Sequence, residues 1–89
     1  MKVLSVVGTR PEAVKMAPVL RAMAAEPAIT SRLCLSGQHG RLAREPLRFF
    51  GITPDRCLSL DRTCHLADAV AHMALKIGRV IEGEKPDRV

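Results

Sequence analysis

Residues 8–15 form the strongest candidate for a ligand-binding segment. Gly8 ends an apolar run and is followed by Arg10, Glu12 and Lys15. A glycine permits a tight turn, and a helix that starts behind it offers free N–H groups and the positive end of its dipole to a phosphate. Arg10 can bind a phosphate through its forked guanidinium, and the helical spacing of Lys15 lets it add a point charge to the same site. Glu12 falls in the first helical turn, where a negative side chain is favoured by the helix dipole. The segment therefore predicts an anion site, or else an ordinary turn with solvated charges, because it matches neither G-x-G-x-x-G nor a P-loop.

A second polar segment, Gly37-Gln38-His39, follows another short apolar run. An amide and an imidazole on a loop at the end of a strand can contact a ligand. A loop histidine can equally well form local hydrogen bonds. Both interpretations of Gln38 and His39 remain open at this point.

Metal binding and acid–base catalysis find little support in the sequence. Cys57, Cys64, His65 and His72 include no closely spaced pair of the kind that zinc sites favour, so we expect buried thiols and surface imidazoles instead. Three carboxylates lie far apart along the sequence: Asp61, Asp68 and Asp87. We therefore predict no metal site, and the residues alone offer no obvious acid–base pair.

The order of the predicted elements indicates an α/β fold. The predicted strands are 3–7, 32–36 and 57–60, the predicted helices are 13–25, 41–50 and 66–81, and a fourth strand begins at Arg88. Strands that alternate with helices form a parallel sheet with right-handed crossovers. Such sheets bind ligands at the carboxyl ends of their strands, where Gly8 and Gln38 both fall.

Glycine, proline and apolar spacing refine these predictions. Pro11 suits the first turn of a helix, Pro18 should kink or split that helix, Pro46 should weaken the second, and Gly51 fits the left-handed position after it. The last helix should bury one apolar stripe along its length. The stripe consists of Leu66, Ala69, Val70, Met73, Ala74, Ile77, Val80 and Ile81.

Composition restricts the class of protein. Eighty-nine residues suffice for one compact unit, and a hydrophobic fraction of 47% is too high for a disordered chain. The net charge of +5 suits an anionic partner, but an aromatic content of 2% argues against nucleic acid, because single-strand binders stack bases on several aromatic side chains. The first apolar run is too short for a membrane span or a signal peptide. Three cysteines without a CxxC pair argue against a disulfide framework and favour a reducing cytoplasm.

Residues 6–18 (VVGTRPEAVKMAP) closely resemble the opening of the non-hydrolysing UDP-N-acetylglucosamine 2-epimerases, in which a strand runs into GTRPEAIKMAP. Three further segments match that family at the expected spacing. Gly37-Gln38-His39 resembles its (T/S)-(A/G)-Q-H loop, residues 50–55 resemble its F-x-I-x-P-D connector, and Lys85-Pro86-Asp87 resembles its K-P-D before the fourth strand.

The resemblance implies a glycosyltransferase-B-like fold with two Rossmann-like domains, of which residues 1–89 are an incomplete amino-terminal one. It implies an isomerase that interconverts UDP-N-acetylglucosamine and UDP-N-acetylmannosamine through 2-acetamidoglucal, without a cofactor, for cell-envelope polysaccharide synthesis. Arg10 and Lys15 match positions that contact the substrate, and Gln38 and His39 match a region used for a second, regulatory UDP-N-acetylglucosamine. The family's catalytic carboxylates and histidine lie downstream of residue 89, and its full-length members form homodimers.

The chain departs from the family pattern in two places. After Gln38-His39 the family continues R-(E/Q)-M-L-D-Q, whereas this chain has GRLARE at 40–45. After the third strand the family has I-M-x-x-x-Q-x-L, whereas this chain has LDRTCHL at 60–66. The family's acidic and amide positions are therefore replaced at the predicted regulatory site.

Two classes of function compete on the sequence alone. The first is the substrate-binding piece of an epimerase, inactive by itself because catalysis needs groups on both sides of the reacting carbon. The second is a free-standing module from a truncated gene that binds a phosphate or a protein partner. The hydrolysing branch of the epimerase family, which releases UDP, is a related alternative to the first.

Overall fold

The structure is a computed structural model that describes residues 1–36, 40–58 and 65–89. Strands and helices alternate as the sequence predicts. In chain order they are β1 (Lys2–Val7), α1 (Arg10–Ala25), β2 (Thr30–Leu35), α2 (Gly40–Phe49), β3 (Arg56–Cys57) and α3 (Leu66–Glu84). The predicted third strand also included residues 59 and 60, which lie outside the described residues.

The three strands form a parallel sheet in the order β1-β2-β3. A parallel bridge joins Val3 to Arg88 on the other side of β1, and the Leu4 N–H donates to the Arg88 carbonyl at 2.9 Å. The chain therefore returns beside β1 where the sequence predicts a fourth strand to begin. Because the strand order reverses there, β1 marks the topological switch point, which is where open α/β sheets bind ligands.

Alternating side chains of the sheet build two apolar layers. Val7, Leu33 and Leu35 pack with α1 and α2 on one face. Leu4 and Cys34 pack with Val80 of α3 on the other face. The helices therefore cover both faces, as a parallel sheet requires.

The prediction that Pro18 splits its helix is wrong. Helix α1 runs unbroken from Arg10 to Ala25 with Pro18 inside it. Pro18 is exposed, whereas Ala17 and Leu20 beside it are buried against the core. Packing of that buried face holds the helix together, and the lost backbone hydrogen bond lies on the solvent side, where water can replace it. The prediction for Gly51 is confirmed by its φ of +72°.

The predicted apolar stripe of α3 is buried in its carboxyl-terminal half only. Val80 and Ile81 pack on the sheet, but Leu66 is 82% exposed and Val70 is 61% exposed. The prediction is therefore wrong for the first turns of the helix. An apolar stripe on a helix is buried only where another surface packs against it. The described part of β3 has only two residues, so the sheet offers little surface to the first turns of α3.

Glu84 fastens the end of α3 to the amino-terminal edge of the sheet. Its carboxylate is 5% exposed and lies 3.0 Å from Lys2 Nζ, 3.1 Å from Arg32 Nε and 2.9 Å from Arg56 Nε. Hydrogen bonds from Arg32 and then from Lys2 and Arg56 lower the pKa of Glu84 to about 2. One carboxylate thus connects all three strands to the helix that crosses them.

Among the described residues, no helix is both long and apolar enough to cross a membrane.

Candidate functional site

The turn from β1 into α1 is locked by a capping box. Thr9 is the N-cap residue in extended conformation, and its Oγ1 accepts a hydrogen bond from the Glu12 N–H at 3.5 Å. The Glu12 carboxylate accepts in return from the N–H of Gly8 at 2.7 Å and from that of Thr9 at 3.3 Å. The T-x-x-E spacing could have revealed this arrangement in the sequence, but we predicted only a favourable charge and a substrate contact for Glu12.

Gly8 is required here by close packing. A Cβ atom at this position would lie 2.6 Å from Ser36 Oγ, a distance at which an atom must move. The Ser36 N–H donates to the Val7 carbonyl at 2.9 Å, so the carboxyl ends of β1 and β2 lie side by side. Gly8 does not adopt a positive φ, and its role is to let two strand ends and the start of α1 meet.

Arg10 is the first residue of α1 and lies at the carboxyl end of β1. Both Arg10 and Lys15 are exposed, and no carboxylate in 1–36, 40–58 or 65–89 forms an ion pair with either. The two positions differ by about 140° around a regular helix. Because Ala13 and Ala17 mark the face toward the core, Lys15 projects from the opposite side. The helix therefore places Arg10 at the rim of the sheet, while Lys15 reaches that rim only along its flexible side chain.

A groove of about 450 Å³ runs along the open side of β1 beneath α1. Apolar residues predominate in its lining, which consists of Val3, Leu4, Ser5, Val6, Glu12, Met16, Val19, Met23 and Val89. Its position coincides with the switch point of the sheet. The groove continues along the edge of β1 to which Arg88 is bridged, which is the edge where the sequence predicts a fourth strand, and Arg10 does not line it.

The other predicted site residues do not join this cluster. Gln38 and His39, the candidates for a regulatory site, lie outside the described residues. Of the two thiols predicted to be buried, Cys57 is exposed, so the prediction is wrong there, and Cys64 lies outside the described residues. Cys34 is buried, and burial raises the pKa of its thiol. The described parts of the chain contain no group of three His, Cys, Asp or Glu side chains that could hold a metal ion.

Replacing Thr9 by alanine should destabilise the chain by about 1 kcal/mol, because the Glu12 N–H loses its side-chain acceptor. Thr9→Ser keeps a hydroxyl at the N-cap and should retain most of the stability. Urea unfolding followed by circular dichroism measures both variants. Equal losses in the alanine and serine variants would show that the hydroxyl does not cap α1.

The chain is similar to curated bacterial proteins, whereas no family model matches it. It is 42% identical over 88 residues to a UDP-N-acetylglucosamine 2-epimerase of Yersinia pestis, an alignment that covers 98% of this chain and 23% of the relative. It is 38% identical over 90 residues to the UDP-N-acetylglucosamine 2-epimerase of Neisseria meningitidis, covering 24% of that protein.

Solved structures show the same similarity. A crystal structure of UDP-GlcNAc 2-epimerase from Neisseria meningitidis bound to UDP-GlcNAc superimposes with a TM-score of 0.90 at 38% identity, over 98% of this chain and 24% of that one. A Staphylococcus aureus co-structure with UDP superimposes with a TM-score of 0.88 at 32% identity, over 97% of this chain and 22% of that one. The chain spans about a quarter of the length of the relatives it matches.

Proposed function

Since this chain belongs to the UDP-N-acetylglucosamine 2-epimerases, of which it matches the amino-terminal part, we propose that it binds the diphosphate of a UDP-sugar at the carboxyl end of β1. The observation that carries the proposal is the position of the capped turn at the switch point of the sheet, with Arg10 exposed beside it and in no ion pair with a described residue. Two of the structural neighbours were solved with UDP-GlcNAc or UDP, which supports the same class of ligand.

The contacts within the turn divide its residues into binding and positioning roles. The Gly8 and Thr9 amides are occupied by the Glu12 carboxylate, so they are not available to a phosphate. The guanidinium of Arg10 forms no ion pair with a described residue, and it can form two parallel hydrogen bonds to a phosphate. In this proposal Arg10 binds the ligand, Lys15 adds charge, and Gly8 and Glu12 position the turn.

We extend the proposal to a full-length protein that contains this chain and has the length of its relatives. That protein would interconvert UDP-N-acetylglucosamine and UDP-N-acetylmannosamine in the cytoplasm as a homodimer, for cell-envelope polysaccharides, and Arg10→Ala in a full-length version would abolish turnover. The chain alone would bind without turnover. Its buried carboxylate, Glu84, is held by three cations at the opposite edge of the sheet and is thus unsuited to acid–base work there.

Ligand-detected NMR on the purified chain tests the binding proposal. UDP-N-acetylglucosamine should receive saturation from the protein, whereas uridine and N-acetylglucosamine, which lack the diphosphate, should not. Arg10→Ala should weaken the binding about tenfold or more, because a charge-assisted hydrogen bond contributes roughly 1.5–3 kcal/mol.

The matched control is Arg21→Ala, which removes an exposed arginine from the same helix away from the rim and should leave the affinity unchanged. Equal affinities in the Arg10 variant and the parent chain would remove Arg10 from the site. Conversion of UDP-N-acetylglucosamine by the 89-residue chain would contradict binding without turnover.

A further inference from the structure

We propose that Arg44, Arg48 and Cys57 form a second pocket, which binds a small oxyanion through its carboxylate or phosphate group. The pocket lies between α2 and β3 at the outer side of the sheet and has a volume of about 520 Å³. It is lined by Arg44, Arg48, Gly51, Ile52, Thr53, Pro54 and Cys57. Strand β3 is separated from β1 by β2, so the pocket is about 10 Å across the sheet from the capped turn.

The charge of the pocket favours an anion. Arg44 and Arg48 are four residues apart on α2, so their side chains emerge from the same side of the helix on successive turns. No carboxylate of a described residue lines the pocket. Glu45 lies between the two arginines on α2 but forms no ion pair with a described residue, and Asp55 is engaged elsewhere, since it lies 3.2 Å from an Arg32 nitrogen. Two neighbouring cations without a counterion repel each other, and an oxyanion between them removes that repulsion.

The pocket is fixed in shape on two sides. The Arg44 guanidinium donates to Cys57 Sγ at 2.9 Å, so it is held against β3. On the other side Gly51, with φ +72°, turns the chain back after α2, and the Ile52 N–H donates to the Leu47 carbonyl at 2.8 Å. Residues 52–54 thereby become a neutral wall that faces the two arginines.

A simpler role exists for one of the arginines. Arg48 lies in the last turn of α2, where any cation offsets the negative end of the helix dipole. That role does not explain Arg44, which lies a turn earlier and contacts a thiol.

The exposed thiol of Cys57 provides a probe inside the pocket. Iodoacetate and iodoacetamide alkylate a thiolate by the same reaction, in which sulfur bonds to the CH₂ group and iodide leaves, but only iodoacetate is anionic. The rate with iodoacetate divided by the rate with iodoacetamide at Cys57 should be about three- to tenfold higher in the folded chain than in a short peptide with the same residues around Cys57, because the two arginines that line the pocket attract the anionic reagent. Peptide mass spectrometry resolves the modification at Cys57 from those at the other cysteines.

Two comparisons separate a pocket from a general effect of positive charge. Arg44→Gln/Arg48→Gln should lower the ratio to the value in the peptide. Arg21→Gln/Arg79→Gln removes the same total charge from exposed positions on α1 and α3 and should leave the ratio high.

A competition experiment between anions and iodoacetate uses the parent chain, so its outcome does not depend on whether a variant folds. Millimolar phosphate or acetate should slow iodoacetate at Cys57 more than it slows iodoacetamide, and the more effective competitor identifies the preferred anion. The proposal is overturned by a ratio equal to that of the peptide, by a ratio that survives loss of Arg44 and Arg48, or by the absence of competition from both anions.

Discussion

Glu84→Gln lowers the melting temperature of the chain by roughly 10 °C, because three cations lose the buried carboxylate that holds them. A neutral amide retains the size of the side chain but not its charge, so Lys2, Arg32 and Arg56 repel each other without compensation. Thermal unfolding followed by circular dichroism measures the change. Glu82→Gln removes an exposed carboxylate from the same helix and should shift the melting temperature by no more than 1–2 °C. Similar shifts in both variants would show that Glu84 is an ordinary surface charge.

The same carboxylate makes stability depend on pH in a defined direction. The pKa of Glu84 is about 2 in the folded chain, below its ordinary value of 4.5. A depressed pKa means that the stabilisation is fully present above pH 4.5 and is lost as the pH falls through 2. The difference in urea midpoint between the parent chain and Glu84→Gln should therefore be largest near neutral pH and shrink toward pH 2. A difference that stays constant from pH 7 to pH 2 would contradict the assigned pKa.

Gly8→Ala should destabilise the chain by about 1–3 kcal/mol and abolish binding of UDP-N-acetylglucosamine, because the new methyl group meets Ser36 Oγ at 2.6 Å. Unless Ser36 rotates its hydroxyl away from the Val7 carbonyl, the ends of β1 and β2 must separate, which displaces the capped turn and Arg10 with it. Urea unfolding and ligand-detected NMR measure the two effects. Because helical glycine is unfavourable, Gly78→Ala provides a matched control with no atom within 4 Å of the new methyl group, and it should stabilise the chain by up to about 1 kcal/mol.

A double variant distinguishes this clash from a general loss of backbone freedom. Ser36→Gly removes the oxygen that the alanine at position 8 would meet. Gly8→Ala/Ser36→Gly should therefore be less destabilised than the sum of the two single changes. Strict additivity would show that Ser36 is not the obstacle.

Order and periodicity in the sequence predict the fold well, because each element carries its own local signal. The apolar run of β1, the proline at the start of α1 and the left-handed Gly51 all act within a few residues. The prediction that Pro18 splits α1 failed because a local signal was overridden by packing of Ala17 and Leu20 on the core, whereas the kink stays a prediction. The prediction that Leu66 is buried failed because an apolar side chain in a helical stripe does not by itself indicate that another surface packs against it.

The Glu84 cluster could not be predicted from local patterns. Its partners at positions 2, 32 and 56 meet only when three strands align and α3 crosses them. Glutamate is rarely buried, so the residue type at position 84 does not predict that this side chain is buried. The arginine pocket depends in the same way on the contact of Arg44 with Cys57, thirteen residues away.

The candidate site was predictable in position and less so in detail. Gly8 and Arg10 follow from the order of strand and helix together with the family resemblance. The capping role of Glu12, whose carboxylate accepts from the Gly8 and Thr9 amides, was missed, and its contact with a substrate stays a prediction. Lys15 was expected to face the same site as Arg10, but the two positions differ by about 140° around α1, so Lys15 reaches the rim only along its flexible side chain. Its contact with a ligand stays a prediction.

A titration of the ¹⁵N-labelled chain with UDP-N-acetylglucosamine, followed residue by residue through its amide signals, tests the central claim most directly. The account predicts that the shifts concentrate at residues 8–12 and at Ser36, where the ends of β1 and β2 meet the start of α1. Absence of any shift, or shifts confined to residues 44–57 on the other side of the sheet, would contradict it.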